Sequence, residues 1–189
     1  MRTTLYLHGF LSHPDSNKGS LLRLAHEKAG IPFEAPELYM SPKEVAELLT
    51  KTVCRLGAEN VNVVGSSLGG FYAAWLAEHF DINRAVLLNP ALGNWGKVDF
   101  RPGWMQVSGI DKKMYVCESF MDELNEMLVR EVTRPERCLT LLSLKDEVLD
   151  PTVTAKMLAK TKIIEIAKGD HRISDFTPYV EPILEFLRS

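Results

Sequence analysis

The segment Val61-Asn62-Val63-Val64-Gly65-Ser66-Ser67-Leu68-Gly69-Gly70 constrains the fold more than any other part of the chain. Its β-branched start reads as a strand, and a helix follows from about Leu68 to His79. A strand that passes straight into a helix through a glycine-flanked serine makes a tight turn. That turn lifts the serine above the sheet edge, beside the positive end of the helix. Glycine is needed two residues either side because strand and helix approach closely there, and Gly70 adds clearance. Ser66 is the competitor, but only Ser67 has glycine at both of those positions. The N–H of Leu68 falls in the first helical turn and points where an oxyanion would form. Ser67 is therefore the candidate nucleophile, and Leu68 a candidate oxyanion donor.

The flanking sequence alternates short apolar runs with stretches of helical period, which predicts a parallel α/β sheet. Leu5-Tyr6-Leu7 reads as the first strand and Phe33-Glu34-Ala35 as a short second one. Asp15, Ser16 and Asn17 can cap a helix that ends at Ala29-Gly30. Ser41, Pro42 and Glu44 form a capping box with proline at the first helical position. Val45, Leu48, Leu49, Thr52 and Leu56 follow on one face, and Gly57 ends that helix. Further strands are predicted at Ala85–Leu88, Leu139–Leu142 and Lys162–Ile166. Helices are predicted at Pro151 to Lys160 and around Tyr179 to Leu187.

Between about 92 and 137 this regularity breaks. Glycines, prolines, Trp95 and Trp104 occupy the first half, and a helix from Ser119 to Val132 is predicted in the second. The segment follows a strand and reads as a small cap inserted into a single domain of residues 1–189. Trp95, Phe100, Trp104, Met105, Phe120 and Met121 are candidates to line an acyl pocket or to pack the cap onto the domain.

A serine hydroxyl is a weak nucleophile that needs a base within reach and a carboxylate to orient that base. Asp146 lies just beyond the strand Leu139–Leu142, and His171 just beyond the strand Lys162–Ile166. Both come after Ser67, acid before base, and neighbouring strand ends would let them converge above it. Glu147 and Asp150 compete for the acid role, although Asp150 before Pro151 reads better as a helix cap. Asp170 reads as a solvated loop residue or a partner of the base. His26 and His79 fall within helices and read as surface residues. His13 lies in a loop on the same side of the sheet and is a substrate-contact candidate. His8-Gly9-Phe10 ends the first strand, so the Phe10 N–H is the second oxyanion donor, with His8 shaping the loop.

Composition narrows the alternatives. The 189 residues carry a formal net charge of -3 with charges interspersed, so no basic field for nucleic acid exists. No apolar run approaches the ~20 residues of a membrane span. The three cysteines lack metal-ligand or disulfide spacing and read as buried free thiols in a reducing cytoplasm. No metal or cofactor is expected. A nucleotide cradle is disfavoured because neither phosphate-loop glycine pattern is present, and Asn89-Pro90 ends the next strand without an acidic ribose ligand.

Five segments together carry a family resemblance: Tyr6-Leu7-His8-Gly9-Phe10, Gly65-Ser66-Ser67-Leu68-Gly69-Gly70, Leu88-Asn89-Pro90-Ala91, Asp146-Glu147-Val148-Leu149-Asp150 and Gly169-Asp170-His171. In order and spacing the chain resembles the small bacterial YqiA-like esterases. The resemblance implies a minimal three-layer α/β-hydrolase fold, with a mostly parallel six-stranded sheet and helices on both faces. It implies hydrolysis of carboxylic esters, extending to acyl-CoA thioesters, with Ser67, Asp146 and His171 as nucleophile, acid and base. Lys145 stands where such families often carry glycine. The competing expectation is a noncatalytic binding module that keeps the hydrolase fold.

Overall fold

The computed structural model describes residues 2–189. Its central sheet contains β1 (Thr3–Leu7), β2 (Phe33–Glu34), β3 (Val61–Ser66), β4 (Arg84–Leu88), β7 (Cys138–Ser143) and β8 (Lys162–Ile166). They lie in the order β2-β1-β3-β4-β7-β8, and every neighbouring pair is parallel. The expected mostly parallel sheet is thus parallel throughout. Two further strands, β5 (Gly103–Gln106) and β6 (Lys113–Val116), form a separate antiparallel hairpin within the predicted insertion.

Helices cover both faces, because alternate residues along each inner strand serve different cores. Leu5, Leu7, Val61, Val63, Ala85 and Leu87 belong to one cluster, which also takes up α2 (Pro42–Leu56) and α3 (Leu68–His79). Tyr6, Val64, Val86, Leu88, Leu139 and Leu141 belong to the other, against α1 (Asn17–Ala29) and α6 (Val180–Arg188). The central strands β3 and β7 are buried along their whole length. Each fully buried Leu or Val side chain stabilises the fold by about 1.5–3 kcal/mol relative to exposure.

Local signals position the helices as expected. Ser16 caps α1 and Gly30 closes it at φ +66°. Ser41 and Glu44 form the reciprocal capping box of α2. Asp150 caps α5 (Pro151–Met157) through the Thr152 N–H at 2.9 Å.

The insertion departs from expectation. Its helix, α4, spans only Phe120–Glu126 and does not continue to Val132. Tertiary contacts hold the following residues in irregular structure instead. The Glu78 carboxylate accepts from both the N–H and the hydroxyl of Thr133, at 3.1 and 2.7 Å. Arg134 donates to the carbonyl oxygens of Ala77 and Phe80, capping the end of α3. The hairpin buries Val107, Met114 and Val116 in the first core, and the Ser108 N–H donates to the Leu11 carbonyl at 2.8 Å. The Lys43 N–H, at the start of α2, donates to Glu123 of α4 at 3.0 Å.

Two other expectations are corrected. His26 is fully buried, not on the surface; its Nδ1–H donates to the Leu22 carbonyl and its Nε2 accepts from the Thr4 hydroxyl. It shares one face of α1 with Gly19 and Leu22. The cysteines are free, but only Cys138 is buried, while Cys54 is exposed and Cys117 half-buried. Among the described residues, no helix is long and apolar enough to cross a membrane.

Candidate active site

Ser67 follows β3 directly and adopts φ +54°, ψ -116°, a conformation that costs an ordinary residue about 1–3 kcal/mol. Its surroundings over-determine it. The Ser67 N–H donates to the Leu88 carbonyl at 2.9 Å, and the Ser67 carbonyl accepts from Gly70, Phe71 and Ala91. The glycines act as the turn requires: a Cβ on Gly65 would lie 2.1 Å from the Gly69 oxygen. Among the described residues, four other than glycine have positive φ: Leu11, Ser67, Asn89 and Ile173. They follow β1, β3, β4 and β8, so these strained positions collect at one end of the sheet.

The three side chains singled out from the sequence meet at that end. The Ser67 hydroxyl lies 3.0 Å from His171 Nε2, and His171 Nδ1 lies 2.8 Å from Asp146 Oδ2. With the Nδ1 proton directed at the carboxylate, Nε2 is left to accept from the serine. The Asp146 side chain is 2% exposed and that of His171 14%. Asp146 Oδ1 is oriented in turn by the N–H groups of Val148 and Leu149, at 2.9 and 2.8 Å. Lys145 leaves this loop intact and is itself exposed.

The other acidic candidates take different places. Glu147 accepts from the His171 main-chain N–H at 3.0 Å, so successive carboxylates hold the same histidine by ring and by backbone. Asp150 is the α5 cap. Asp170 accepts from the N–H and hydroxyl of Ser174, chiefly the hydroxyl, which holds its carboxyl below the ordinary range. Lys18, on α1, donates to the Arg172 carbonyl, and burial brings its ammonium down to about 8, opposed by the charge of Asp170.

The loop after β1 approaches the serine closely: a Cβ on Gly9 would lie 3.3 Å from Ser67 Cβ. Among the described residues, neither the Phe10 N–H nor the Leu68 N–H has a hydrogen-bond partner. His8 is buried and shapes this loop, as expected. Its Nε2 accepts from the Leu38 N–H at 3.1 Å, and its Nδ1–H donates to the Gly9 carbonyl at 2.9 Å. Burial holds it neutral, down to about 4. His13 is half-exposed beside Gly109 of the hairpin.

Aromatic rings join this loop to the 92–137 segment. Phe10 contacts Phe100 and Phe120 at centroid distances of 4.8 and 5.8 Å, and Trp95 contacts Phe100 at 5.8 Å. Trp104 does not join them: it is 70% exposed and pairs with Tyr115 on the outer face of the hairpin. Sequence reasoning assigned no role to Asn89 or Ser143, and did not foresee that Glu147 would hold the His171 backbone. Polar residues at or just past strand ends were the available signal.

Comparison with known proteins agrees with this architecture. Residues 3–188 match the model of the family described as "Uncharacterised protein family (UPF0227)". A UPF0227 protein of Serratia proteamaculans is 29% identical over 192 residues, covering 96% of this chain and 97% of that protein. Among solved structures, Est1E from Butyrivibrio proteoclasticus superposes with a TM-score of 0.73 at 15% identity, covering 100% of this chain and 89% of that one. The monoacylglycerol lipase of Paleococcus ferrophilus gives 0.71 at 17% identity, covering 98% and 93%. The fold is that of the α/β hydrolases.

Proposed function

The chain belongs to the UPF0227 family, and from that premise we propose that it is a serine hydrolase cleaving carboxylic esters through an acyl-enzyme. One observation carries the reading: the hydrogen-bonded chain from Ser67 through His171 to Asp146, at 3.0 and 2.8 Å. In this reading His171 Nε2 removes the hydroxyl proton as Ser67 Oγ attacks the ester carbonyl. Asp146 holds the imidazole in the required tautomer and stabilises the imidazolium. The unpartnered N–H groups of Phe10 and Leu68 receive the oxyanion, and losing one such donor typically costs about 3 kcal/mol of barrier. The imidazolium then returns its proton to the leaving alcohol, and water repeats the sequence on the acyl-enzyme.

A thioester has the same acyl carbonyl, so acyl thioesters fall within the proposed substrate range. The aromatic contacts of Phe10, Phe100 and Phe120 fill space beneath the cap and support small or medium acyl groups. We read the chain as one hydrolase domain with residues 92–137 as its cap. Three free cysteines fit a reducing cytoplasm.

The test is fluorophosphonate labelling with peptide mapping, followed by an ester and thioester panel. Labelling at Ser67, lost in Ser67→Ala together with turnover of a short p-nitrophenyl ester, is the expected result. A folded native protein that neither labels nor turns over any panel member would instead be a binding module on this fold.

A further inference from the structure

The base stands on a loop with weak strand support. Among the described residues β8 is an edge strand, paired with β7 alone, and His171 comes five residues beyond its last residue. The His171 backbone is nevertheless held at both of its polar atoms. Its N–H donates to Glu147 at 3.0 Å, and its carbonyl accepts from Asn89 Nδ2 at 2.9 Å.

Asn89 connects three strand ends. It follows β4 directly, is 2% exposed and has φ +41°. Its Oδ1 accepts from the Ser143 N–H at 2.8 Å, at the end of β7. Its Nδ2 faces the Ser143 hydroxyl at 3.0 Å, the Asp170 carbonyl at 3.2 Å and the His171 carbonyl at 2.9 Å. The residues around it hold the nucleophile: Leu88 accepts from the Ser67 N–H, and Ala91 donates to the Ser67 carbonyl at 3.1 Å. One short segment therefore grips Ser67 by main chain and the His171 loop by side chain. Its left-handed backbone explains the residue type. Asparagine adopts that region more readily than most residues, and glycine, which adopts it more readily still, would bring no carboxamide.

We propose that Asn89 is a positioning residue that fixes the separation of His171 and Ser67 by bracing the His171 backbone against the end of β4. The proposal rests on the serine-hydrolase reading above. A reacting pair displaced by about 1 Å loses on the order of 100-fold in rate without losing substrate affinity.

Two variants test it. Asn89→Gly keeps the backbone conformation and removes the carboxamide. Asn89→Asp keeps the shape and replaces the Nδ2 donors by a carboxyl facing two carbonyl oxygens. With active sites counted by fluorophosphonate titration, Asn89→Gly is expected to lower kcat about 100-fold with KM within about threefold. Asn89→Asp can donate to a carbonyl only while protonated. Its activity relative to native protein is therefore expected to fall as pH rises, adding a descending limb that the native profile lacks. A purely structural residue would lower Tm and leave kcat per active site and the pH profile unchanged; that result overturns the proposal. Should Asn89→Gly not fold, the Asn89→Asp profile decides. A native protein that fails to label at Ser67 overturns the hydrolase reading and this role with it, whereas native labelling with unaltered variants removes only the role of Asn89.

Discussion

A Cβ on Gly69 would lie 2.0 Å from the carbonyl oxygen of Leu7, so the start of α3 is seated against the end of β1 at a distance only glycine permits. The obstacle is main chain and cannot rotate aside. Gly69→Ala is expected to cost about 3 kcal/mol or more in urea unfolding and to abolish labelling of Ser67. Gly30→Ala is the control: open space surrounds that position, and only its φ of +66° opposes a side chain. It is expected to cost about 1–2 kcal/mol with activity unchanged. Equal effects of the two substitutions on labelling would contradict the assignment of Gly69 to the site.

Asp146→Asn tests the orientation of the base. The amide oxygen can keep the bonds to Val148 and Leu149, while the amide nitrogen turns toward His171 Nδ1. That forces the proton onto Nε2, which can then no longer accept from Ser67. We expect kcat to fall by about 10⁴ with little change in Tm. A loss of less than about tenfold would show that Asp146 is not the orienting acid.

Acid should destabilise the fold through His8, which burial holds near 4 against an ordinary value of 6.5. Between these values the unfolded chain binds a proton that the folded chain does not. Stability is therefore complete above about 6.5, falls as pH drops toward 4, and levels off below, losing up to about 3 kcal/mol. His26, also lowered by burial, acts in the same direction. Urea unfolding at several pH values should show a shallower slope for His8→Asn; an unchanged slope would exclude His8 as its source.

Phe100 is half-buried and joins the cap to Phe10. Phe100→Ala should open room beside Phe10 and raise the rate on octanoyl relative to acetyl p-nitrophenyl esters. A chain-length profile identical to that of the native protein would place the acyl group elsewhere.

Arg134 caps α3 through two carbonyl oxygens, and its side chain is 30% exposed. Arg134→Met keeps the apolar stem and loses these bonds. A destabilisation of about 1–3 kcal/mol is expected, with turnover of a short ester unaffected. Unaltered stability would mean that water replaces the cap at no cost.

The parts of the fold written locally were legible in the sequence. The capping box of α2, the proline and aspartate that open α5, and the valines of β3 act through neighbours a few residues away. The glycine-flanked turn at Ser67 was legible for the same reason, and the convergence of Asp146 and His171 on it followed from their places at strand ends. What failed depends on distant contacts. The helix drawn to Val132 stops at Glu126 because Thr133 and Arg134 answer to the end of α3. The hairpin was obscured by its glycines, although Lys113-Met114-Tyr115-Val116 alternates exposed and buried. His26 could have been placed inside from its position four residues after Leu22. For Asn89 the sequence offered only its place just past a strand end, since its side-chain partners lie 54 to 82 residues away.

Because β4 and β7 are adjacent and parallel, with Ala85 opposite Cys138, everything between them is an excursion that departs from the far end of β4 and returns beside its start. The entropy of closing such an excursion grows only logarithmically, by about 0.6 kcal/mol per doubling of length. Its size is therefore nearly free to vary. Its underside is not, since Val107, Val116, Phe120 and Leu124 complete the core above α2 and α3. On the proposed hydrolase reading, a different cap with the same apolar sole could be exchanged for this one while Ser67, Asp146 and His171 stayed in place, and chemistry and selectivity would then be separately inheritable parts of one chain.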